Sequence, residues 1–341
     1  MGARWWPPAL RFEPYPATEA IPNVVVDGSA NAGTVLVLSH WPHAPCPPDL
    51  ARDLSAESAL AYLDHDGLHG AAGVVTNNHF DQDGLMSVYA LVDPEAALAR
   101  ADLVTEVARA GDFAVTTSRA AARVSMAIAA CADAERSPLG SDLFGDDHGA
   151  TTGALYTEVL PRVTGWLDDP DTCHELWADE DAQLTADEAL MSSGAVRIEE
   201  VGDLDLTVVT LPDTASSAGG HRFGGMWEST VHPMALYGAV GGFAVLLVQG
   251  GRVELRYRYE SWVQFRSRPV RPRVDLAPLA EELTALEPGP ARWSFDGVGA
   301  LTPTLHVDGK GTTDLDPASV RRSVEHALRQ GSPAWDPYAP A

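Results

Sequence analysis

A strand-like run that turns directly into acids and a histidine constrains the fold of this chain most. The stretch Val74–Leu91 begins with β-branched apolar residues, presents His79, Asp81, Asp83 and Gly84, and then continues with helical spacing. Alternate residues of an extended segment point to the same side, so the three polar side chains can converge. Carboxylate with imidazole suits Mn²⁺, Mg²⁺, Fe or Zn²⁺ better than Ca²⁺. An exposed turn with an aspartate helix cap is the alternative that this segment leaves open.

Three more segments deliver a potential metal ligand at the end of an element. The strand pattern NVVVD ends in Asp27, and the strand pattern TVLVLSH ends in His40. A helical pattern, LVTEVARAGDF, is interrupted by Gly111 and is followed at once by Asp112. Open α/β sheets bind ligands at the carboxyl ends of their strands. Several such residues at consecutive element ends therefore favour a shared site over isolated helix caps.

These segments resemble the motifs of the DHH phosphoesterase superfamily. The pattern HxDxDG at His79–Gly84 is similar to motif I of the family, and Asp27 is similar to the aspartate of its motif II. The sequence LSHW, Leu38–Trp41, occupies the place of the Asp-His-His motif, and the helix pattern Asp53–Leu63 resembles the helix that follows it. The Gly-Asp that ends in Asp112 is similar to motif IV. The resemblance covers residues 20–115.

The chain departs from the family pattern in two ways. The motifs occur in the order II, III, I, IV, which implies a circular permutation, and permutation is tolerated where the original termini lie close together. The Asp-His-His triplet reads Ser39, His40 and Trp41, so only the histidine that binds metal in the family is kept. His43 is the candidate to replace the lost second histidine. The departure puts catalysis in doubt more than metal binding.

The resemblance implies a metal-dependent phosphohydrolase that acts on a small phosphorylated substrate, such as a nucleotide, a short oligonucleotide or a pyrophosphate-like compound. Two divalent cations are implied, Mn²⁺ first and Mg²⁺ as the alternative. The implied ligands are Asp27, His40, His79, Asp81, Asp83 and Asp112, with Asp27 bridging the two cations. Asp83 and His43 are the implied catalytic residues. A catalytically impaired DHH-like protein that binds metal or nucleotide is the alternative function.

Arginines concentrate in the second half of the chain. Seven of the 23 basic residues lie at positions 252, 256, 258, 266, 268, 271 and 273. The residues Val253–Phe265 alternate as a strand does. In the DHHA1-like module that accompanies the family's catalytic domain, a strand motif resembles Arg266 and Ser267, and a helix motif resembles Asp275–Ala280. Arg266, Ser267 and Arg268 are expected to bind substrate phosphate. The alternative is that the arginines lie on a solvated sheet edge.

The glycine-rich segment GGHRFGG supplies two more candidates. His221 and Arg222 lie in this segment, whose backbone N–H groups could cradle a phosphate. A flexible connection explains the same composition. Both candidates are therefore weighed against a plain linker.

The order of the patterns predicts an α/β protein with two domains. Residues 1–193 are expected to form a DHH-like metal-binding domain, a mainly parallel sheet flanked by helices, with a helical extension. Residues 194–341 are expected to form a smaller mixed α+β domain, DHHA1-like, with the substrate in an interdomain cleft. A non-catalytic acidic α/β protein whose acids cap helices is the rival interpretation.

Composition excludes some partners and suggests a compartment. The net charge of −25 argues against binding of long nucleic acid. The longest apolar stretch, Ala235–Gln249, is too short to span a bilayer, so no membrane partner is expected. The three widely spaced cysteines form no metal pattern or disulfide framework, and the N-terminus lacks an apolar leader. We expect a cytoplasmic bacterial protein, with the oligomeric state, a homodimer included, left open.

Overall fold

The computed structural model describes residues 8–65, 67–70, 72–213 and 230–339, and the chain divides into two compact units. The first comprises the residues up to Asp181 together with Phe265–Ser267. The second comprises Ala182–Gln264 and the residues from Arg268 onward. Each unit combines helices with β-sheet, so the predicted α/β class is confirmed. The sequence placed the boundary after residue 193, whereas the first unit ends earlier and includes three residues of the arginine-rich stretch.

The strands of the first unit form a four-stranded parallel sheet in the order β1-β4-β2-β3. The strands are β1 (Arg11–Phe12), β2 (Asn23–Val26), β3 (Thr34–Leu38) and β4 (Val74–Thr76). The central strand β2 is a β-branched run buried on both faces, as expected of a parallel sheet covered by helices. Val24 pairs with Val75 on one side and with Leu36 on the other. The parallel register brings the carboxyl ends of three neighbouring strands to one edge.

Helices make up the rest of the first unit. They are α1 (Ser55–Leu63), α2 (Gln82–Val92), α3 (Pro94–Leu98), α4 (Ala101–Asp112), α5 (Arg119–Ala132), α6 (His148–Val159), α7 (Val163–Asp168) and α8 (His174–Ser192), the last of which runs past the unit boundary. Helix α2 is buried from Gln82 to Leu91 because α1 and α4 pack against it beside the sheet. Ser118 caps α5 through its hydroxyl. The loop GDDHG is exposed at Asp146 and leads into α6.

The sequence predicted that Gly111 interrupts helix α4. In the structure the helix continues through Gly111 to Asp112. The reason is packing against α2. A Cβ atom at Gly111 would lie 2.4 Å from Cβ of Gln82, whose amide donates to the Ser125 carbonyl oxygen at 2.9 Å. Glycine at this position therefore lets the end of α4 approach the start of α2, and that approach brings Asp112 next to the sheet edge.

The substitution Gly111→Ala should destabilise the protein by about 2 kcal/mol, because the added methyl group would overlap with a side chain that is held by a hydrogen bond. Gly165→Ala in α7 is the matched control. A Cβ atom there meets no atom within 4 Å, so the alanine should stabilise its helix by about 0.5–1 kcal/mol. Urea unfolding of the two variants measures both effects. Equal effects of the same sign would contradict the packing described for α4.

The second unit contains a six-stranded mixed sheet in the order β10-β11-β8-β7-β6-β5, and a two-stranded sheet of β9 and β12. The strands are β5 (Arg197–Val201), β6 (Leu206–Thr210), β7 (Ala244–Gln249), β8 (Arg252–Tyr257), β9 (Arg273–Val274), β10 (Trp293–Phe295), β11 (Thr304–Val307) and β12 (Pro333–Trp335). The helices are α9 (Pro233–Tyr237), α10 (Ala277–Leu286) and α11 (Pro317–Gln330). Only β6 and β7 are parallel, which makes the sheet mixed. Across the described ranges of both units, no helix has the length and apolar character needed to cross a membrane.

The core of the second unit lies between the large sheet and two helices. Leu246 and Leu255 pair across β7 and β8 and are fully buried with Leu279 of α10 and Val324 of α11. Asp316 caps α11 by accepting hydrogen bonds from two backbone N–H groups of its first turn. The apolar faces of both helices therefore cover one face of the sheet.

The arginine-rich strand is shorter than the sequence predicted. Strand β8 ends at Tyr257, and a 3-10 turn at Tyr259–Ser261 follows instead of further strand. Within the turn region the buried guanidinium of Arg258 forms an ion pair with Glu260 and lies over the ring of Tyr237. The polar residues that alternate with apolar ones after Tyr257 therefore form a buried ion pair at a turn. They do not mark the solvent-facing side of a strand.

Arg273 is a structural residue of the second unit. Its side chain is 1 % exposed, and it donates hydrogen bonds to the Ser261 hydroxyl at 2.9 Å and to the carbonyl oxygens of Val298, Ala300 and Leu301 at 2.6–3.0 Å. A planar guanidinium with five donors can satisfy several carbonyl groups of one loop at once. Arg273 therefore fixes the loop that precedes β11.

The substitution Arg273→Ala should destabilise the second unit by about 3 kcal/mol, because it removes several hydrogen bonds and leaves buried acceptors without a donor. Arg271→Ala is the control. Its exposed side chain donates to the carbonyl oxygens of Asp203 and Leu328, so a loss of at most about 1 kcal/mol is expected. Chemical unfolding followed by circular dichroism compares the two. Similar losses would show that Arg273 does not hold the loop.

Candidate metal centre

Three neighbouring strands of the parallel sheet end at the same edge, and each is followed by a candidate ligand. Asp27 directly follows β2, His40 follows β3, and His79 follows β4. Because these strands are adjacent and parallel, the three side chains meet. Nε2 of His40 lies 3.5 Å from Oδ1 of Asp27, and Nε2 of His79 lies 3.3 Å from Oδ2 of Asp27. The aspartate of the central strand thus lies between the two imidazoles.

Helices supply the remaining acids. Asp81 caps α2 by accepting a hydrogen bond of 2.8 Å from a backbone N–H of its first turn, and its Oδ2 lies 2.9 Å from Nε2 of His79. Asp83 lies in the first turn of the same helix, with Oδ2 at 3.8 Å from Nε2 of His40. Asp112, the last residue of α4, places its Oδ2 3.4 Å from the same nitrogen.

All six residues that the sequence suggested as ligands therefore come together. We call them the acidic cluster: Asp27, His40, His79, Asp81, Asp83 and Asp112. Two groups of three can each surround one point, with ligand atoms within 4.8 Å of one another: Asp27 with His79 and Asp81, and Asp27 with His40 and Asp83. Asp27 belongs to both groups, and Asp112 adjoins the second through His40.

A hydrogen bond orients the His40 ring. Nδ1 lies 2.5 Å from the carbonyl oxygen of Asp53. A carbonyl oxygen only accepts, so Nδ1 carries a hydrogen, and Nε2 is the ring nitrogen left to bind a proton or a metal ion. That nitrogen faces carboxylate oxygens of three aspartates at 3.4–3.8 Å. Lone pairs that face one another repel unless a proton or a cation lies between them. A metal-binding histidine shows this arrangement, with its second nitrogen donating to a carbonyl group.

The N-terminus of α1 binds the carboxylate of Asp83. The backbone N–H of Ser55 donates to Oδ2 at 2.8 Å, and that of Ala56 donates to Oδ1 at 2.7 Å. The first N–H groups of a helix have no partner within the helix, and their partial positive charge favours an anion. Asp83 is fully buried, and burial, followed by the negative charge of Asp27, still raises its pKa well above the ordinary value. A cation at the cluster would oppose that shift.

Asp27 adopts an unusual backbone conformation. Its φ of 44° lies in the left-handed region, which costs a non-glycine residue on the order of 1 kcal/mol. The hydroxyl of Ser55 donates to its Oδ1 at 2.8 Å, and the carboxylate is nearly fully buried. Backbone strain of this kind concentrates at functional sites, where the surrounding structure enforces it.

His79 lies between the cluster and Trp41. The rings of Trp41 and His79 are 5.2 Å apart between centroids. Burial lowers the pKa of His79, but the charges of Asp81 and Asp27 outweigh burial and raise it well above the ordinary value. Trp41 therefore covers one side of His79 with an aromatic ring. In the sequence comparison, Trp41 takes the place of the second histidine of the Asp-His-His motif. An indole has no basic nitrogen, so Trp41 has no proton-accepting role there.

The donor set fits divalent cations on three grounds. Four carboxylates and two imidazoles are donors that Mn²⁺ and Mg²⁺ accept, with oxygen predominating. The separations of 2.9–3.8 Å between ligand atoms are close to the roughly 3 Å expected when two ligands about 2.1 Å from one cation are adjacent. Finally, the side chains of Asp27, Asp83 and Asp112 are buried, and buried like charges need a compensating cation or protonation.

The remaining candidates do not join the acidic cluster in this way. His43 is exposed, with a φ of 62°, and is in neither ligand group among the described residues. Arg268 lies in the second unit, where it donates to Asp205 and lies over the Phe243 ring. Their catalytic and substrate-binding roles stay predictions. His221 and Arg222 lie outside the described residues.

The motif predicted that Arg266 and Ser267 lie in a strand, but the structure places them in an irregular segment. Their backbone N–H groups both donate to Oδ1 of Asp53, at 2.5 and 2.8 Å, instead of pairing with a neighbouring strand. Next to them, the ring of Phe265 lies 5.4 Å from that of Phe113. These contacts explain why the three residues belong to the first compact unit.

Several residues that support the cluster were missed by the sequence analysis. Asp53 and Ser55 lie in a segment predicted only as a helix, although an acid and a serine before an apolar run often mark a helix start. Tyr156 of α6 is fully buried, and burial, then the charges of Asp81 and Asp27, raises its pKa well above the ordinary value. No local sequence pattern predicts that α6 lies near the sheet edge, because α6 is far from the ligand residues in sequence.

A family model matches nearly the whole of the described chain. It spans residues 8–339, and its description reads Family of unknown function (DUF6687). No curated protein matches the chain. The match covers both compact units, while its description carries no activity. Function is therefore argued from the geometry of the acidic cluster.

Ser55→Ala should destabilise the first unit by about 2 kcal/mol, because the hydroxyl donates to Asp27 and accepts from the backbone N–H of His40 at 3.3 Å. Ser58→Ala is the control. Its buried hydroxyl on the same helix donates to the Leu54 carbonyl oxygen, so a loss of about 0.5 kcal/mol is expected. Thermal and urea unfolding in the presence of a chelator compare the variants. An equal loss for both would remove the special role of Ser55.

Proposed function

The chain belongs to the family of unknown function DUF6687, and we propose that it is a divalent-metal-dependent phosphohydrolase related to the DHH superfamily by circular permutation. One observation carries the proposal. Nε2 of His40, whose ring is oriented by the hydrogen bond from Nδ1 to the Asp53 carbonyl, faces three carboxylates, and two three-ligand groups share Asp27. Such a shared carboxylate is what two adjacent cations require. Mn²⁺ is the proposed ion, with Mg²⁺ as the alternative.

Each residue of the acidic cluster has a defined task in this proposal. His79 and Asp81 would hold one cation, His40, Asp83 and Asp112 the other, and Asp27 both. When bound, two cations would lower the pKa of a water and stabilise the charge that develops on the phosphate. The N-terminus of α1 stabilises the ionised form of Asp83 against the effect of burial, and the Asp53 carbonyl orients the His40 ring so that its Nε2 can bind metal.

The substrate is proposed to be a small phosphorylated compound. The first unit contains Arg266, whose guanidinium can bind phosphate oxygens through two hydrogen bonds. The net charge of −25 disfavours a long nucleic acid, since a polyanion would be repelled by the surface as a whole. A single phosphate group can still bind where cations and an arginine reverse the local field.

The test combines metal binding with hydrolysis. After dialysis against a chelator, the protein should bind two Mn²⁺ per chain in calorimetry and should hydrolyse at least one of a panel of phosphoesters. The panel contains bis(p-nitrophenyl) phosphate, pyrophosphate, phosphoadenosine phosphate, cyclic dinucleotides and short oligonucleotides. Asp27→Asn keeps the hydrogen-bond acceptor for Ser55 and tolerates the left-handed backbone, yet removes the shared charge. It should lose Mn²⁺ binding and reduce hydrolysis by at least about 100-fold.

Asp146→Asn is the matched control, because Asp146 is an exposed acid outside the acidic cluster. It should bind metal and hydrolyse substrate like the unaltered protein. If Asp27→Asn also retained two bound Mn²⁺ and full activity, the proposed metal centre would be wrong. Binding of Mn²⁺ without hydrolysis of any compound in the panel would instead favour the second candidate function.

The second candidate is a DHH-like protein that binds metal and nucleotide without turnover. The position of Trp41 favours it, because an indole packs against His79 where the family has a second histidine, and His43 is exposed. Equilibrium binding of nucleotides in the presence of Mn²⁺, with no product formed over hours, distinguishes this candidate from a hydrolase.

A further inference from the structure

The residue that orients His40 also holds the segment that contains Arg266. The backbone carbonyl of Asp53 accepts the hydrogen bond from His40 Nδ1, while its side-chain Oδ1 accepts from the N–H groups of Arg266 and Ser267. Asp53 lies immediately before the turn that starts α1, whose first N–H groups bind Asp83. One short stretch of backbone therefore contacts the acidic cluster and a segment more than two hundred residues away in sequence.

The surroundings of this segment place it beside the acidic cluster. The ring of Phe265 contacts that of Phe113, which follows Asp112 in the chain, and the Phe113 ring lies 6.2 Å from that of His40. Burial raises the pKa of the Cys46 thiol, while a hydrogen bond with the backbone of Ser39, the neighbour of His40, and the positive charge of Arg266 oppose that rise. Both sets of contacts lie within the first compact unit.

We propose that Asp53 is a positioning residue, whose carboxylate holds the backbone of Arg266 and Ser267 so that the Arg266 guanidinium binds a phosphate oxygen of the substrate at the acidic cluster. This inference rests on the proposed function and adds to it the residue that fixes the phosphate contact. A carboxylate that accepts two backbone N–H groups is well suited to hold an irregular segment, because these are charge-assisted hydrogen bonds. The carboxylate fixes the backbone, and the guanidinium remains the group that contacts substrate.

The position of Asp53 predicts that its side chain affects phosphate binding but not metal binding. Truncation to alanine leaves the carbonyl oxygen that orients His40 and removes only the acceptor for the two N–H groups. Asp53→Ala should therefore bind Mn²⁺ like the unaltered protein, while its affinity for inorganic phosphate, measured by calorimetry with Mn²⁺ present, falls about tenfold. For a hydrolysed phosphoester the same variant should raise KM about tenfold and change kcat less than about twofold.

Three further variants separate positioning from a general loss of structure. Asp53→Asn keeps an oxygen acceptor and should restore most of the phosphate affinity. Arg266→Gln should weaken phosphate binding about as much as Asp53→Ala, and the double variant should be no weaker than Arg266→Gln alone, because both changes remove one interaction. Asp49→Ala, an exposed acid of the same loop, should have no effect.

Hydrogen exchange of the Arg266 and Ser267 amides provides a readout that does not depend on activity. Their exchange should be slow in the unaltered protein and faster in Asp53→Ala, with the amides of α10 unchanged. Additive losses in the double variant, or unchanged amide exchange and phosphate affinity in Asp53→Ala, would overturn the inference. Failure of the unaltered protein to bind Mn²⁺ would instead overturn the proposed function, and the exchange data would still report whether Asp53 holds the segment.

Discussion

The structure around the acidic cluster depends on one electrostatic constraint, which is that several carboxylates are buried together at the carboxyl edge of a parallel sheet. Like charges in a medium of low polarity are unfavourable unless donors or cations surround them. The first unit supplies donors from the helix N-terminus of α1, from the Ser55 hydroxyl and from the cap of α2. These donors satisfy part of the negative charge, and the cluster keeps an inner side where imidazole nitrogens and carboxylates face one another.

The same constraint explains local features that would otherwise look unrelated. Asp27 accepts a left-handed backbone at the end of the central strand, and Gly111 removes a side chain so that α4 can approach α2. Both features cost conformational freedom or intrinsic helix stability. Both also bring a carboxylate to His40. The fold thus accepts small local penalties where the acidic residues converge.

In the second unit the buried charges include arginines. Two of its buried arginines have partners within the unit itself, Arg258 in Glu260 and Arg273 in loop carbonyl groups. These contacts give the two guanidinium groups a structural role within the unit. The arginine-rich stretch therefore divides into structural residues and the segment at Arg266, which belongs to the first unit.

The sequence alone indicated three strands of the parallel sheet, the helices beside them and the side chains at the strand ends, because β-branched runs and helical spacing are local signals. It could not determine that Gly111 continues a helix, that β8 ends at Tyr257 or that Arg266 leaves the strand pattern, since each depends on a partner far away in sequence. The support that Ser55, Asp53 and Tyr156 give to the cluster has the same origin. Only tertiary packing decides which distant backbone donors a buried carboxylate meets, because burial makes an unsatisfied charge more costly than any local preference.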